Sequence, residues 1–284
     1  STQTIVEAAN SLIKHNRNQI PKDVFSENAK GEKIQYKPAY SDKEEAAIVA
    51  KDVKRIRRED GCQYSDFAIL YRTNAQSRSF EEEFRKQGIP YRIYGGLSFY
   101  QRKEIKDIIA YFRLVANPDD EEAIKRIINY PARGIGETTQ NKLVVFADSQ
   151  NVSVSSVLDN LGIYAPQLGL NNGILPKLSD FWSMIKAFQV MLKTENAYNV
   201  AMEVAKRSGL IKFLKDDQTP EGISRVENIQ ELMNSMQGFI EEQQQIEDGE
   251  PSLANFLENI ALSADTQTDK DEQGDQVSLM TIHL

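Results

Sequence analysis

Two short stretches of this chain carry residue types that bind polyanions. The first is Tyr71-Arg-Thr-Asn-Ala-Gln-Ser-Arg78, directly after the apolar run Phe67-Ala-Ile-Leu. The guanidiniums of Arg72 and Arg78 are forks suited to phosphate, while Asn74 and Gln76 suit phosphate or a base edge. Thr73 adds a hydroxyl. The second is Pro131-Ala-Arg-Gly-Ile-Gly-Glu-Thr-Thr139. Gly134 and Gly136, flanking Ile135, let a partner approach the backbone closely, and the helix expected after them aims free N–H groups at it. Thr138 and Thr139 add hydroxyls, and Arg133 and Lys142 add charge. None of this reads bases, so the ligand it fits is a duplex backbone held without regard to sequence. Each stretch also has a plainer reading. Asn74 and Ser77 can be turn and cap residues of an ordinary strand-to-helix loop, and Gly-Ile-Gly can be a helix-connecting turn.

Other chemistry is missing. There is no Gly-x-x-x-x-Gly-Lys-Ser/Thr loop, and no carboxylate pair follows an apolar strand as a magnesium site requires. The two histidines, His15 and His283, form no Ser/His/acid set and no multi-histidine metal site. The single cysteine, Cys62, excludes an internal disulfide and a Cys cluster for zinc. The chain alone is expected to hold no metal and to catalyse nothing.

A length of 284 residues allows two domains, and 40% hydrophobic with 27% charged residues is ordinary for a soluble protein. The net charge of −8 argues against a surface coated with phosphate-binding groups. The acidic residues concentrate in Glu241–Glu250 and Asp265–Asp275, however, which leaves room for basic patches elsewhere. No apolar run approaches the roughly 18 residues of a membrane span. The opening Ser-Thr-Gln-Thr lacks a secretory signal, so the expected location is cytoplasmic, with no membrane partner.

The elements that position these residues follow from periodicity. A helix opens the chain, capped by Ser1 or Thr4 with Glu7 as capping-box partner, and Ile5, Ala8, Ala9, Leu12 and Ile13 form one apolar face of it at helical spacing. Ile34, Tyr36 and Tyr40 alternate as in a strand. Glu44–Glu59 is an amphipathic helix with Ala46, Val49, Val53 and Ile56 inward. The unbroken run Phe67–Tyr71 predicts a strand buried on both faces, and its polar tip lies at the carboxyl edge where open α/β sheets bind ligands. A helix over Ser79–Gln87 ends at Gly88, and a strand over Tyr91–Tyr94 completes a parallel βαβ unit. From about Lys103 to Ala264 the pattern is helical, with Phe99, Tyr100, Phe181 and Trp182 assigned to core and Ser224–Asn228 opening a long helix through capping and ion pairs. Asp265–Asp275 reads as a flexible linker, and Val277–Ile282 as a returning strand. The fold class is therefore α/β, a partial parallel-sheet domain (1–97 and 273–284) with an inserted all-α domain (98–272). Gly95 and Gly96 are the expected hinge. An opening on a helix cap and a stop just after a returning strand point to a piece of a longer chain.

Together these fragments resemble the superfamily 1A DNA helicases of the UvrD/PcrA/Rep group. Ser1-Thr2 looks like the tail of the family's Asn-Tyr-Arg-Ser-Thr motif, and Tyr71–Arg78 is similar to a motif of the second RecA-like domain, 2A. Gly95-Gly96 through Glu104-Ile-Lys-Asp107 looks like the junction into the inserted domain 2B. Arg133-Gly-Ile-Gly136 resembles the 2B element that grips duplex DNA, and Val277–His283 the start of the next core motif. The resemblance implies an ATP-dependent DNA helicase moving 3′ to 5′, acting in DNA repair or replication with ATP and Mg2+. It implies single-strand contacts at Arg72, Thr73, Asn74, Thr281 and His283. It places duplex contacts at Arg133, Gly134, Ile135, Gly136, Thr138, Thr139 and Lys142. The nucleotide groups would belong to the missing RecA-like domain 1A and the rest of 2A, so neither ATP nor Mg2+ is expected to bind this chain well. Two other readings compete: a non-catalytic helical module for duplex DNA or a protein partner, and the core of a recombination helicase–nuclease subunit.

Overall fold

A computed structural model describes residues 1–17, 22–94, 96–171, 173–247, 249–264 and 274–282. The chain forms two compact units, Ser1–Glu45 and Ala46–Leu284. In the first, helix α1 (Gln3–Ile13) starts after Thr2, with no side-chain cap. The caps expected at Ser1 and Thr4 are not used, because both residues tie the helix start to the following segment. Thr4 Oγ1 donates to the Lys30 carbonyl at 2.6 Å, and the Ser1 carbonyl accepts from Ser26 Oγ at 2.6 Å. The strand expected over Ile34–Tyr40 does not form. Its tyrosines, Tyr36 and Tyr40, are fully exposed. Alternation without a neighbouring strand to pair with leaves only an extended segment.

Helix α2 (Asp42–Asp60), which belongs to the second unit from Ala46 onward, buries Ala46, Ala50 and Val53. Strand β1 (Ala68–Tyr71), helix α3 (Ser77–Lys86), strand β2 (Tyr91–Tyr94) and strand β3 (Val277–Thr281) complete this layer. The sheet is parallel with order β1-β3-β2, so the last strand inserts between the first two. β1 is consequently an edge strand. Ile69 and Tyr71 pack with α2 and α3, while Ala68 and Leu70 face away and remain exposed. The expectation of a strand buried on both faces is thus corrected: even the central strand β3 buries only one face completely, at Val277 and Leu279, while Ser278 and Met280 on the other face are half-buried. α3 ends at Gln87 with Gly88 at φ +66°, the left-handed position that glycine occupies without a Cβ penalty.

Between β2 and β3 the described residues form only helices and turns. In order these are α4 (Lys103–Ala116), α5 (Glu121–Ile127), α6 (Glu137–Gln150), α7 (Val154–Asp159), α8 (Leu161–Leu168), α9 (Leu175–Met191), α10 (Ala197–Arg207), α11 (Leu210–Lys215), α12 (Pro220–Gln244) and α13 (Leu253–Ala264). They share a hydrophobic core separate from that of the sheet. α4 is central to it, with Ile105, Ile108, Tyr111, Phe112 and Val115 buried along its length. Phe99, Tyr100, Phe181 and Trp182 are buried as expected. Asp120, Ser153, Asn196 and Thr219 cap α5, α7, α10 and α12 by accepting a backbone N–H. Thr219 therefore starts α12 ahead of Ser224, and Asn228 is no capping residue but a buried one. Most of the expected linker Asp265–Asp275 lies outside the described residues. Asp275 is described, and its Oδ1 accepts the Ser65 N–H at 2.8 Å.

Candidate nucleic-acid interface

The carboxyl edge of the sheet brings two strand ends together. Tyr71 and Thr281 are register partners, and the Ile282 N–H donates to the Tyr71 carbonyl at 3.1 Å. Arg72 follows Tyr71 with its side chain exposed. Gln76 Oε1 accepts the N–H groups of Arg72 at 2.9 Å and Thr73 at 3.0 Å, which folds the loop into a tight turn before α3. The Gln76 side-chain oxygen is therefore engaged within the loop. Asn74 borders Gly96: a Cβ placed on Gly96 would lie 3.8 Å from Asn74 Oδ1. Burial, reinforced by nearby Glu81, pushes the Tyr71 hydroxyl up to about 12, so it stays neutral. Gly95 and His283 lie outside the described residues.

Arg78 is not presented at this edge. It is 2% exposed, and its Nε reaches Glu231 Oε1 at 2.7 Å while Nη1 reaches Glu82 Oε2 at 2.6 Å. Burial disfavours its charge, but Glu82 and Glu231 outweigh this and hold its pKa above the ordinary value. A second buried arginine lies beside it. Arg102 donates from Nη2 to Ser77 Oγ at 2.7 Å and from Nη1 to Asn228 Oδ1 at 2.8 Å. Glu81 accepts from Ser77 Oγ and Ser98 Oγ, each at 2.7 Å, and from the Phe99 N–H at 3.2 Å. The polar loop after β1 is thereby fixed to α12 from below.

The second candidate stretch is built around Asn129, two residues past the end of α5. Asn129 Oδ1 accepts the N–H groups of Arg133 at 2.9 Å and Ile135 at 3.0 Å. Ile135 is buried completely. Arg133, expected to add charge for a ligand, turns inward. Its Nη1 donates to the carbonyls of Ile127 (3.0 Å) and Pro131 (3.2 Å), and its Nη2 to Tyr111 Oη (2.6 Å) and the Ser208 carbonyl (2.9 Å). The guanidinium also lies over the Phe181 ring at 5.3 Å. A cation with four acceptors inside the loop has little left to offer outside it.

What does face outward is backbone. Gly134 is exposed at φ +72°, and Gly136 is the residue before α6. Among the described residues no partner takes the N–H of Gly134, Gly136, Glu137 or Thr138. Thr138 is exposed and Thr139 half-buried in the first turn of α6. Glu137 sets a carboxylate in the same turn, which works against a bound anion there. Lys142 Nζ donates to the Gly169 carbonyl at 2.7 Å, closing the end of α8. Sequence reasoning missed Lys177. From the start of α9 its Nζ reaches over Gly134, 2.5 Å from where a Cβ on that glycine would lie. No periodicity or motif links the two positions.

Among the described residues no cluster of His, Cys, Asp and Glu is placed to hold a metal ion, and no helix is long and apolar enough to cross a membrane. The arrangement offers two exposed polar features, a strand-edge loop and a glycine-bearing helix entry. The family model described as the UvrD-like helicase C-terminal domain matches residues 1–284. Over 283 residues the chain is 38% identical to the ATP-dependent DNA helicase PcrA of Staphylococcus aureus, an alignment covering 100% of this chain and 37% of that protein. The PcrA of Staphylococcus epidermidis is 39% identical over 286 residues, again across 100% of this chain and 37% of the relative. This chain thus spans little more than a third of the curated relatives it matches. Matched along its whole length, the chain belongs to the UvrD-like helicase C-terminal domain family.

Proposed function

We propose that this chain is the DNA-holding part of an ATP-dependent DNA helicase that moves 3′ to 5′ in the cytoplasm during DNA repair or replication. In this reading residues 1–97 and 273–284 belong to RecA-like domain 2A, and 98–272 form an inserted all-α domain, 2B. Arg72, Thr73 and Asn74, with Thr281 and His283 from the neighbouring strand end, hold the tracked single strand. Gly134, Gly136, Thr138, Thr139 and Lys142 hold the duplex backbone, joined by Lys177. Arg133 and Ile135 serve that contact from inside the loop. ATP and Mg2+ act in the parent protein, on domain 1A and the remainder of 2A, and this chain alone hydrolyses no ATP.

The observation that carries the reading is the pairing of the β1 and β3 ends. It sets exposed Arg72 beside Thr281 at the carboxyl edge of a parallel sheet, the edge where such sheets bind ligands. The helical region turns as a unit about Gly96 and the crossing near Asp275. Any such turn has to part Arg78 from Glu231 and Arg102 from Asn228.

Equilibrium binding to a hairpin duplex and to a single strand, measured across salt concentrations, tests the reading. Both affinities should fall steeply with salt, as phosphate contacts require. Replacing Thr138 and Thr139 together by glutamate should weaken hairpin binding and spare the single strand. Equal loss on both substrates would remove the duplex assignment, and DNA-stimulated ATP hydrolysis by the purified chain would overturn the division of labour.

A further inference from the structure

Asn129 carries no charge, sits outside every recognised motif stretch, and is half-buried at the end of α5. Its carboxamide nevertheless determines how the backbone of residues 133–136 is presented. The side-chain oxygen has two lone pairs, and both are used, one by the Arg133 N–H and one by the Ile135 N–H. Two backbone donors also fix which carboxamide atom is the oxygen. N–H groups at alternate residues therefore point inward to Asn129. Those of Gly134 and Gly136, between and after them, have no partner among the described residues. This division is what a backbone contact to an anion needs, because the inward half of the loop is satisfied without drawing on the outward half.

The loop is held at its other points as well. Ile135 anchors it in the core, and Arg133 bridges the carbonyl ends of α5 and α10. Tyr111 Oη accepts from Arg133 and donates to the Tyr130 carbonyl at 2.6 Å. Arg133 supports the loop from one side, but among the described residues only Asn129 takes its N–H groups directly.

We infer that Asn129 is a positioning residue for duplex binding: it orients the N–H groups of Gly134 and Gly136 toward phosphate without touching DNA itself. The inference rests on the duplex-holding reading of this loop. Without the carboxamide oxygen, the N–H groups of Arg133 and Ile135 lose their acceptor and the loop samples other backbone orientations. The duplex then has to select the competent one, which lowers its apparent affinity by the fraction lost.

The test compares Asn129→Ala, Asn129→Asp and the double variant Thr138→Glu/Thr139→Glu in the full chain. Each is assayed for binding to a DNA hairpin and to a single strand, and for amide hydrogen exchange at Arg133 and Ile135. Asn129→Ala should speed exchange at both amides and weaken hairpin binding about tenfold, with the single strand unaffected. Asn129→Asp keeps an acceptor oxygen in place, so both amides should stay protected even though its negative charge works against phosphate, and this exchange pattern remains informative if the alanine variant does not fold. Hairpin binding unchanged in Asn129→Ala despite faster exchange would overturn the inference. So would hairpin binding that falls in Asn129→Ala while exchange at Arg133 and Ile135 stays as slow as in the parent. If instead the double variant binds the hairpin normally, the duplex reading itself fails, whatever the Asn129 variants do.

Discussion

Arg78 Nε lies 2.7 Å from Glu231 Oε1 across a separation of 153 residues, joining the first turn of α3 to the middle of α12. Arg78 is also paired one turn along its own helix, with Glu82 at 2.6 Å. The pair with Glu231 therefore ties the loop that carries Arg72 and Asn74 to the helical region. Removing one partner of a buried ion pair is costly because a buried charge is left behind.

Glu231→Gln should cost about 1–2 kcal/mol, since Glu82 still neutralises Arg78 and the amide keeps an acceptor. Glu82→Gln combined with Glu231→Gln should cost about 3–5 kcal/mol, more than the two single changes together. Urea unfolding midpoints of the three variants provide the comparison. Simple additivity would show that Arg78 does not depend on the two carboxylates jointly.

Arg78 also marks where sequence reading stops. Its spacing from Arg72 is that of a second phosphate fork, and nothing local distinguishes it from one. Only the fold, by laying α12 over α3, turns it into a buried brace. β1 fails the same way: its apolar run reads as a two-face-buried strand, yet β3, arriving from the far end of the chain, takes the central place. Gly88, the β2 bounds and the burial of Phe181 and Trp182 were legible because periodicity and turn chemistry are local. Asn129 and Lys177 were not, because a turn asparagine and a surface lysine carry no mark of the loop they serve.

Lys177 is exposed, with its ammonium over Gly134. Lys177→Ala should leave stability within about 0.5 kcal/mol of the parent. It should weaken hairpin binding uniformly across sequences and reduce the salt slope by about one counterion. A variant with an unchanged slope would place Lys177 outside the DNA interface.

Gly134 tests the same loop from the backbone. At φ +72° a side chain is strained, so Gly134→Ala should lose about 1–2 kcal/mol of stability. The new methyl would also displace Lys177 Nζ. Hairpin binding should fall with little change on single strands. Thermal unfolding and anisotropy on the same preparation separate the two effects.

Trp182 is the only tryptophan and reports on Asp159. Its Nε1 donates to Asp159 Oδ1 at 2.7 Å, and Lys186 Nζ lies 2.9 Å from the same oxygen. Burial is the largest single influence and raises the Asp159 pKa, but the indole N–H and Lys186 together outweigh it and hold the carboxyl below its ordinary 3.8. A carboxyl depressed by folding adds stability that is present above the ordinary value and lost as pH falls through the depressed one. Acid titration of Trp182 fluorescence should show a step below 3.8, absent in Asp159→Asn. The same step in both proteins would assign it to general unfolding.

The strand-edge loop makes the last prediction, and it separates direct phosphate binding from scaffolding. Arg72 is exposed, so Arg72→Ala should leave stability within about 0.5 kcal/mol. Its single-strand affinity should fall, and its salt slope should drop by roughly 0.7 for each phosphate that the guanidinium neutralises. Gln76→Ala acts differently. It removes the acceptor that holds the Arg72 and Thr73 N–H groups at 2.9 and 3.0 Å, so the loop loosens while every cation stays in place. Single-strand affinity should fall there too, but with the salt slope intact, because no phosphate partner has been removed. Measured slopes that change equally in the two variants would mean that Arg72 acts as part of the loop's fold rather than as a phosphate ligand.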